Sequence, residues 1–304
     1  MWQIIESTRV VRLLENCIER GQLPNAYLVV GPAHVGKMTL ATNLAQALNC
    51  EANERPCGEC LSCMKIASGK HADVQVIGLV DGSSGESTAK EISIGQIRDI
   101  QHSAALPPFE GKFKVFIIDG AEQLSNEAAN CLLKTLEEPA EKILYVLLTV
   151  NEQRILPTVL SRCQRLELAP LPADVIAKNL IEQRRVEPAK AELISRLSHG
   201  CPGWAISAVE DSSILDERST RLEKILKVIH SGFEERFAYA AQLSIQYGQN
   251  RNAVQEELDL WLDWWHDLLL FKTGSKDRVT NIDRLDNVQK MAEGYNIKKI
   301  RMFI

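Results

Sequence analysis

GPAHVGKMT, residues 31–39, follows the apolar run AYLVV (26–30) and leads into MTLATNLAQAL (38–48). Strand, glycine loop, helix is the setting in which G-x-x-x-x-G-K-[ST] holds phosphate. The glycines let backbone N–H groups converge on phosphate oxygens at a helix N-terminus, where the dipole favours an anion. Gly31, Gly36 and Lys37 fit the pattern, and the lysine of such a loop reaches the outer phosphates. The next position should offer a hydroxyl to Mg²⁺ and carries Met38. Mg²⁺ is hard and demands oxygen, whereas a thioether is soft. Thr39 has a hydroxyl but lies about 100° further round the helix. The phosphate cradle is therefore kept and the metal ligand lost. The bland alternative is a strand–helix turn that binds nothing.

Working outward, Leu40, Leu44 and Leu48 give the helix after the loop one apolar face. ADVQVI (72–77) reads as a strand and GLVDGSSGEST (78–88) as a surface loop. Ser93 with Gln96 is a capping box opening a helix that turns Ile97 and Ile100 inward. KVFIID (114–119) and ILYVLLT (143–149) are buried strands, and RLEL (165–168) is a last short one. Between them LSNEAANCLLKTLEEP (124–139) is a helix with Leu124, Ala128, Leu132 and Leu136 on one stripe and Pro139 as its stop. Continuous apolar strands alternating with helices predict a parallel sheet covered on both faces, with the phosphate loop at its carboxyl edge. Asp119 ends a buried strand, where a carboxylate would hold Mg²⁺ through water. The position after it, where a glutamate would activate the attacking water, is Gly120. Glu122 lies on or near the following turn, and the sensing position falls at Thr149 or Asn151.

The chain has 304 residues, 45% hydrophobic and 25% charged, with a formal net charge of -5. That is the profile of a soluble globular protein of about two domains, or three small ones, and not of an overall basic nucleic-acid binder. The N-terminal stretch lacks a basic segment followed by an apolar core, and no apolar run is long enough to span a bilayer, so the expected location is the cytosol with no membrane partner. Of eight cysteines, Cys17, Cys131, Cys163 and Cys201 are scattered, while Cys50, Cys57, Cys60 and Cys63 form C-x6-C-x2-C-x2-C. In a reducing compartment four clustered thiolates suit a closed tetrahedral zinc site, structural and not catalytic. The alternative is four unliganded buried thiols, which the surrounding charged and turn residues disfavour.

APLPAD (169–174) reads as a linker, and the remainder as helical. The breaker HGCPGW (199–204) interrupts a first block, and ELDLWLDWWHDLLLF (257–271) is an amphipathic helix in the second. Trp261, Trp264 and Trp265, spaced with Leu262, Leu268 and Leu269, mark a core or subunit-interface face. Arg162 stands in a loop before the last strand. Alone it reads as a surface charge, and its sharper reading is an arginine finger for a neighbouring subunit's ATP site.

LPNAYLVVGPAHVGKMTLA, the cysteine set, VFIIDGAEQLSNEAANCLLKTLEEP and LPTVLSRCQRL together resemble the bacterial clamp-loader ATPase family of the AAA+ class, most closely over residues 1–170. The resemblance implies an α/β P-loop domain with a parallel sheet over 1–170, carrying the cysteine module at 50–63. A small helical lid over 171–211 and an all-α collar for oligomerisation over 212–304 follow. It also implies a choice between two subunit types. A motor keeps a complete loop, an Asp-Glu pair and a lid arginine; a stator has a degraded site and keeps the arginine of SRC (161–163). Met38, Gly120 and the lid sequence GCPGWA (200–205) match the stator, as does an end soon after the collar. The implied job is to assist ATP-driven loading of a sliding clamp onto primed DNA for DNA polymerase III. The implied partners are tau/gamma motor subunits, delta, and the clamp and DNA through the assembled ring. Arg162 would act in trans, the Trp helix would help hold the ring, and the chain's own ATPase would be weak or absent. ATP would be held, if at all, by Gly31, Gly36, Lys37, Thr39 and Asp119. A motor subunit that hydrolyses ATP and a zinc-module DNA binder remain the competing readings. The second wants a basic patch, and residues 50–66 carry Arg55 and Lys65 against Glu51, Glu54 and Glu59.

Overall fold

The computed structural model describes residues 2–5, 8–79, 91–138 and 140–304. Most of the expected loop over 78–88, and the expected helix stop Pro139, lie outside the described residues. Packing divides the chain into two units, Met1–Pro170 and Leu171–Ile304.

In the first unit α1 (Thr8–Glu19) precedes β1 (Ala26–Val30), α2 (Lys37–Asn49) and α3 (Leu61–Ala67). Then come β2 (Val74–Ile77), α4 (Ile94–Ala104), β3 (Lys114–Asp119), α5 (Asn126–Glu137), β4 (Ile143–Thr149), α6 (Pro157–Leu160) and β5 (Gln164–Glu167). The described strands form one parallel sheet in the order β2-β3-β4-β1-β5. Alternate residues of the central strands enter opposite layers. Tyr27, Val29, Val115, Ile117, Val146 and Leu148 pack with Leu40, Leu44 and Leu48 of α2. Leu28, Phe116, Ile118, Tyr145 and Leu147 meet Ile97 and Ile100 of α4 and Ala128, Leu132 and Leu136 of α5. Burial on both faces is why these strands are apolar at every position. The capping box is present: Ser93 Oγ accepts the Gln96 N–H at 3.4 Å, and Gln96 Oε1 accepts the Ser93 N–H at 2.9 Å.

In the second unit α7 (Ala173–Arg184), α8 (Pro188–Leu197) and α9 (Pro202–Glu210) share a small core of Ile176, Leu180, Ala191, Ile194, Ala205 and Ala208. His199 and Gly200, both at positive φ, make the break between α8 and α9, and Pro202 starts the next helix. Then follow α10 (Ser213–His230), α11 (Phe233–Gln249), α12 (Arg251–Lys272), α13 (Leu285–Gly294) and α14 (Ile297–Ile300). Leu222, Ile225, Trp264, Trp265, Leu268 and Met291 form their core. Of the two readings of the Trp helix α12, core or subunit interface, this packing favours the core for Trp264 and Trp265. Trp264 and Trp265 are buried within their own unit, so they present no interface, and Leu262 points outward at 43% exposed. The exposed apolar face belongs to α11, where Phe233, Phe237 and Ile245 are 79%, 73% and 66% exposed. No described helix is long and apolar enough to cross a membrane.

Candidate functional site

Two groups of expected residues gather in the first unit. One lies at the carboxyl edge of the sheet. Val30, the last residue of β1, is in register with Thr149 and Glu167, and Asp119 with Leu148. The chain leaves β1 at Gly31, whose N–H donates to the Thr149 carbonyl at 3.2 Å. Only glycine fits there: a Cβ would lie 2.5 Å from the carbonyl oxygen of Leu168. The loop closes at Gly36, the N-cap of α2, at φ 106. Gly31, Gly36, Lys37 and Asp119 are thus brought to one edge.

Lys37 is buried, and its Nζ donates to the carbonyls of Gly31 at 2.8 Å and Pro32 at 2.6 Å. The ammonium rests against the loop that would receive phosphate. Met38 is partly buried and packs on the sheet's first hydrophobic layer, so that position serves packing. Asp119 is exposed. Gly120 has φ 75, in the left-handed region, and its Cβ would meet Gln123 Oε1 at 2.6 Å. The Gln123 amide can swing aside, but the backbone cannot leave φ 75 without rebuilding the turn Ala121–Gln123. A glutamate is therefore disfavoured here by geometry as well as absent by sequence.

Thr149 at the end of β4 donates its hydroxyl to Glu122 Oε2 at 2.7 Å and accepts the Asn151 N–H at 3.0 Å. Asn151 caps the turn Glu152–Arg154, its Oδ1 accepting the Gln153 N–H at 3.0 Å. Of the two sensing candidates, Thr149 is the one tied to an acid on this edge. That Glu122 partnership was beyond sequence reading, because two loops must meet to make it.

The second group is the cysteine set. The Sγ atoms of Cys50, Cys57, Cys60 and Cys63 all lie within 4.8 Å of one another. Cys50–Cys60 is 4.0 Å and Cys57–Cys63 is 3.9 Å. Four sulfurs at about 2.3 Å from one ion are spaced about 3.8 Å in a tetrahedron, so the set fits a metal ion. Cys50 follows α2, and Cys60 is the N-cap of α3 with its Sγ accepting the Cys63 N–H at 3.5 Å. The Cys60 N–H in turn donates to Cys57 Sγ at 3.3 Å. Backbone N–H groups of Cys60 and Glu59 lower Cys57 to about 6, while burial pushes the Cys63 thiol up to about 12. Cys50 and Cys63 are fully buried despite their polar surroundings in sequence.

A brace joins this module to the rest of the unit. Asn49 Oδ1 accepts the N–H groups of Lys112 and Phe113 at 2.8 and 2.9 Å, and Lys112 Nζ donates to the Cys50 carbonyl at 2.6 Å. Asp73 accepts three backbone N–H groups, from Phe109, Glu110 and Gly111, at 2.7, 2.8 and 2.7 Å. Burial alone would raise the Asp73 pKa, yet those donors hold it below the usual range.

Arg162 lies apart from both groups, after α6. It pairs with Glu137 at 2.5 Å, and its guanidinium is partly exposed. Neighbouring Cys163 is pushed up to about 11 by burial, as befits a packing group.

A parallel sheet with a glycine loop running from β1 into α2 is a P-loop architecture. The family described as DNA polymerase III, delta subunit, matches residues 6–172. DNA polymerase III subunit delta' of Bacillus subtilis is 31% identical over 93% of this chain and 83% of its own length. The delta' subunit of Pseudomonas aeruginosa is 33% identical over 69% of this chain and 63% of its own. DNA polymerase III subunit tau of Bacillus subtilis is 28% identical over 89% of this chain, which spans only 50% of that relative. The chain belongs to this DNA polymerase III clamp-loader family and resembles its delta-prime members.

Proposed function

We propose that this chain is a delta-prime-type stator of a bacterial DNA polymerase III clamp loader. It assists ATP-driven loading of the sliding clamp onto primed DNA beside tau/gamma motor subunits and delta. The observation that carries the reading is the state of the sheet edge. The phosphate cradle of Gly31, Gly36 and Lys37 persists, while Met38 serves packing and Gly120 sits at φ 75 in a backbone that resists glutamate. Such an edge can hold a nucleotide, with Thr39 and Asp119 nearby, but lacks what activates water. Hydrolysis would take place on the motors, and Arg162 would lend a guanidinium in trans to the charge that develops there. Zinc is the metal that four thiolates suit best, and it would serve structure. The division into a P-loop domain, a lid over 171–211 and a collar over 212–304 belongs to the same reading. The exposed phenylalanines of α11 suit a collar that packs on other subunits.

The test is reconstitution. Motor subunits assembled with this chain, delta, clamp and primed DNA should show DNA-stimulated ATP hydrolysis that Arg162→Ala lowers by on the order of 10³-fold. Equal activity with the variant would contradict the trans role. The competing motor reading predicts turnover by this chain alone.

A further inference from the structure

Arg162 is held at three points. Its Nη1 donates to the Thr158 carbonyl at 2.9 Å and to Ser161 Oγ at 3.3 Å, and its Nη2 donates to Glu137 Oε1 at 2.5 Å. Thr158 lies in α6 and Ser161 caps its end, whereas Glu137 is the last residue of α5. Two separate elements therefore converge on one guanidinium. A guanidinium has five N–H donors in a rigid fork. The three bonds leave the Nε–H and one Nη2–H for an anion arriving from outside the chain. The side chain is 34% exposed, so such an anion can reach it.

We infer that Glu137 is a positioning residue for Arg162: it fixes the direction in which the free edge of the guanidinium faces a neighbouring subunit's phosphates. The inference rests on the trans reading of Arg162. A long flexible side chain loses much rotamer freedom when it engages a transition state. Holding it beforehand removes part of that cost. Thr158 and Ser161 are neutral acceptors on the arginine's own segment, and Glu137 supplies the charged contact from a different element.

Charge alone predicts the opposite sign. Removing Glu137 leaves the arginine's positive charge without its carboxylate partner, which would draw phosphate more strongly. The direction of the effect therefore decides between an aiming contact and a masking one.

The experiment uses the full chain in the reconstituted complex, with clamp, primed DNA and ATP. Steady-state hydrolysis is compared for wild type, Arg162→Ala, Glu137→Ala, Glu137→Gln and the double alanine variant. Glu137→Ala should lower kcat by about 2- to 5-fold, the scale an exposed ion pair can impose, with KM for ATP unchanged. Glu137→Gln keeps an acceptor without the charge and should fall between. The double variant should be no slower than Arg162→Ala, because Glu137 acts through the arginine. Unfolding midpoints are measured alongside, and the isosteric Gln variant carries the test should the alanine variant melt early. Wild-type or faster hydrolysis by both Glu137 variants, with Arg162→Ala impaired, overturns the positioning role and leaves the trans reading standing. A double variant slower than Arg162→Ala also overturns it, since Glu137 would then act elsewhere. No effect of Arg162→Ala removes the trans reading and this inference together.

Discussion

The cysteine centre and the sheet edge lie in the same unit and have fared differently. At the centre all four cysteines are present, with their sulfurs within 4.8 Å of one another, and braced by Asn49, Lys112 and the loop that Asp73 holds. At the edge the cradle stands, while the two positions that hydrolysis needs carry Met38 and Gly120. A closed four-thiolate metal centre, as proposed for these cysteines, would keep all four ligands. An edge used for holding, with chemistry done elsewhere, needs its backbone cradle and its lysine and little more.

The contrast between centre and edge breaks most readily at the centre, where the largest effect is expected. Cys63→Ser, or prolonged chelation of the wild type, should cost roughly 4 kcal/mol and lower the first unit's melting temperature on the order of 10 °C. Calorimetry with and without added zinc reads this, and an unchanged melt would mean that the thiols hold nothing. Next comes the brace. Asp73→Ala strands three backbone donors and should cost about 3 kcal/mol. The wild-type carboxylate has a depressed folded pKa, so its stabilisation is present above the ordinary aspartate value of about 3.9. It is lost as pH falls from there through the folded value. Acid titration of the variant should lack that limb, and a limb identical to wild type would show that Asp73 carries no such linkage.

Smaller effects sharpen the edge. Gly120→Glu should cost about 1–2 kcal/mol from strain at positive φ and should not create turnover, as denaturant melts and a phosphate-release assay would read. Hydrolysis gained by that single change would show the backbone to be more adaptable than its positive φ suggests. Met38→Thr should cost about 1 kcal/mol of lost packing and likewise leave turnover at background. A stability gain would mean that Met38 is not a packing residue.

Much of this was legible in sequence. The boundaries of β1, β3 and β4 could be read to the residue, because burial on both faces demands an unbroken apolar run that polar residues end sharply. The start of α4 was legible because Ser93 and Gln96 satisfy each other locally. The gathering of the four cysteines was legible from spacing, although the role of Cys60 as N-cap of α3 was not, since no apolar period marks a seven-residue helix. What stayed hidden depended on meetings between distant segments. Lys37 folding back onto Pro32, Thr149 finding Glu122, and Arg162 finding Glu137 leave no trace in periodicity. The tryptophans left core and interface open for a related reason. Their spacing identified an apolar face, but α10 and α13 of the same unit cover it, and the exposed face fell to α11.

The proposed function calls for an edge that would hold nucleotide without hydrolysing it. The direct measurement is equilibrium binding of labelled ATP with Mg²⁺ to the isolated chain, with turnover followed in parallel and Lys37→Ala as control. The expected result is binding that the Lys37 variant weakens at least about 10-fold, the loss of a charge-assisted contact, and no turnover in either protein. Turnover that disappears with Lys37 would contradict it and make this chain a motor.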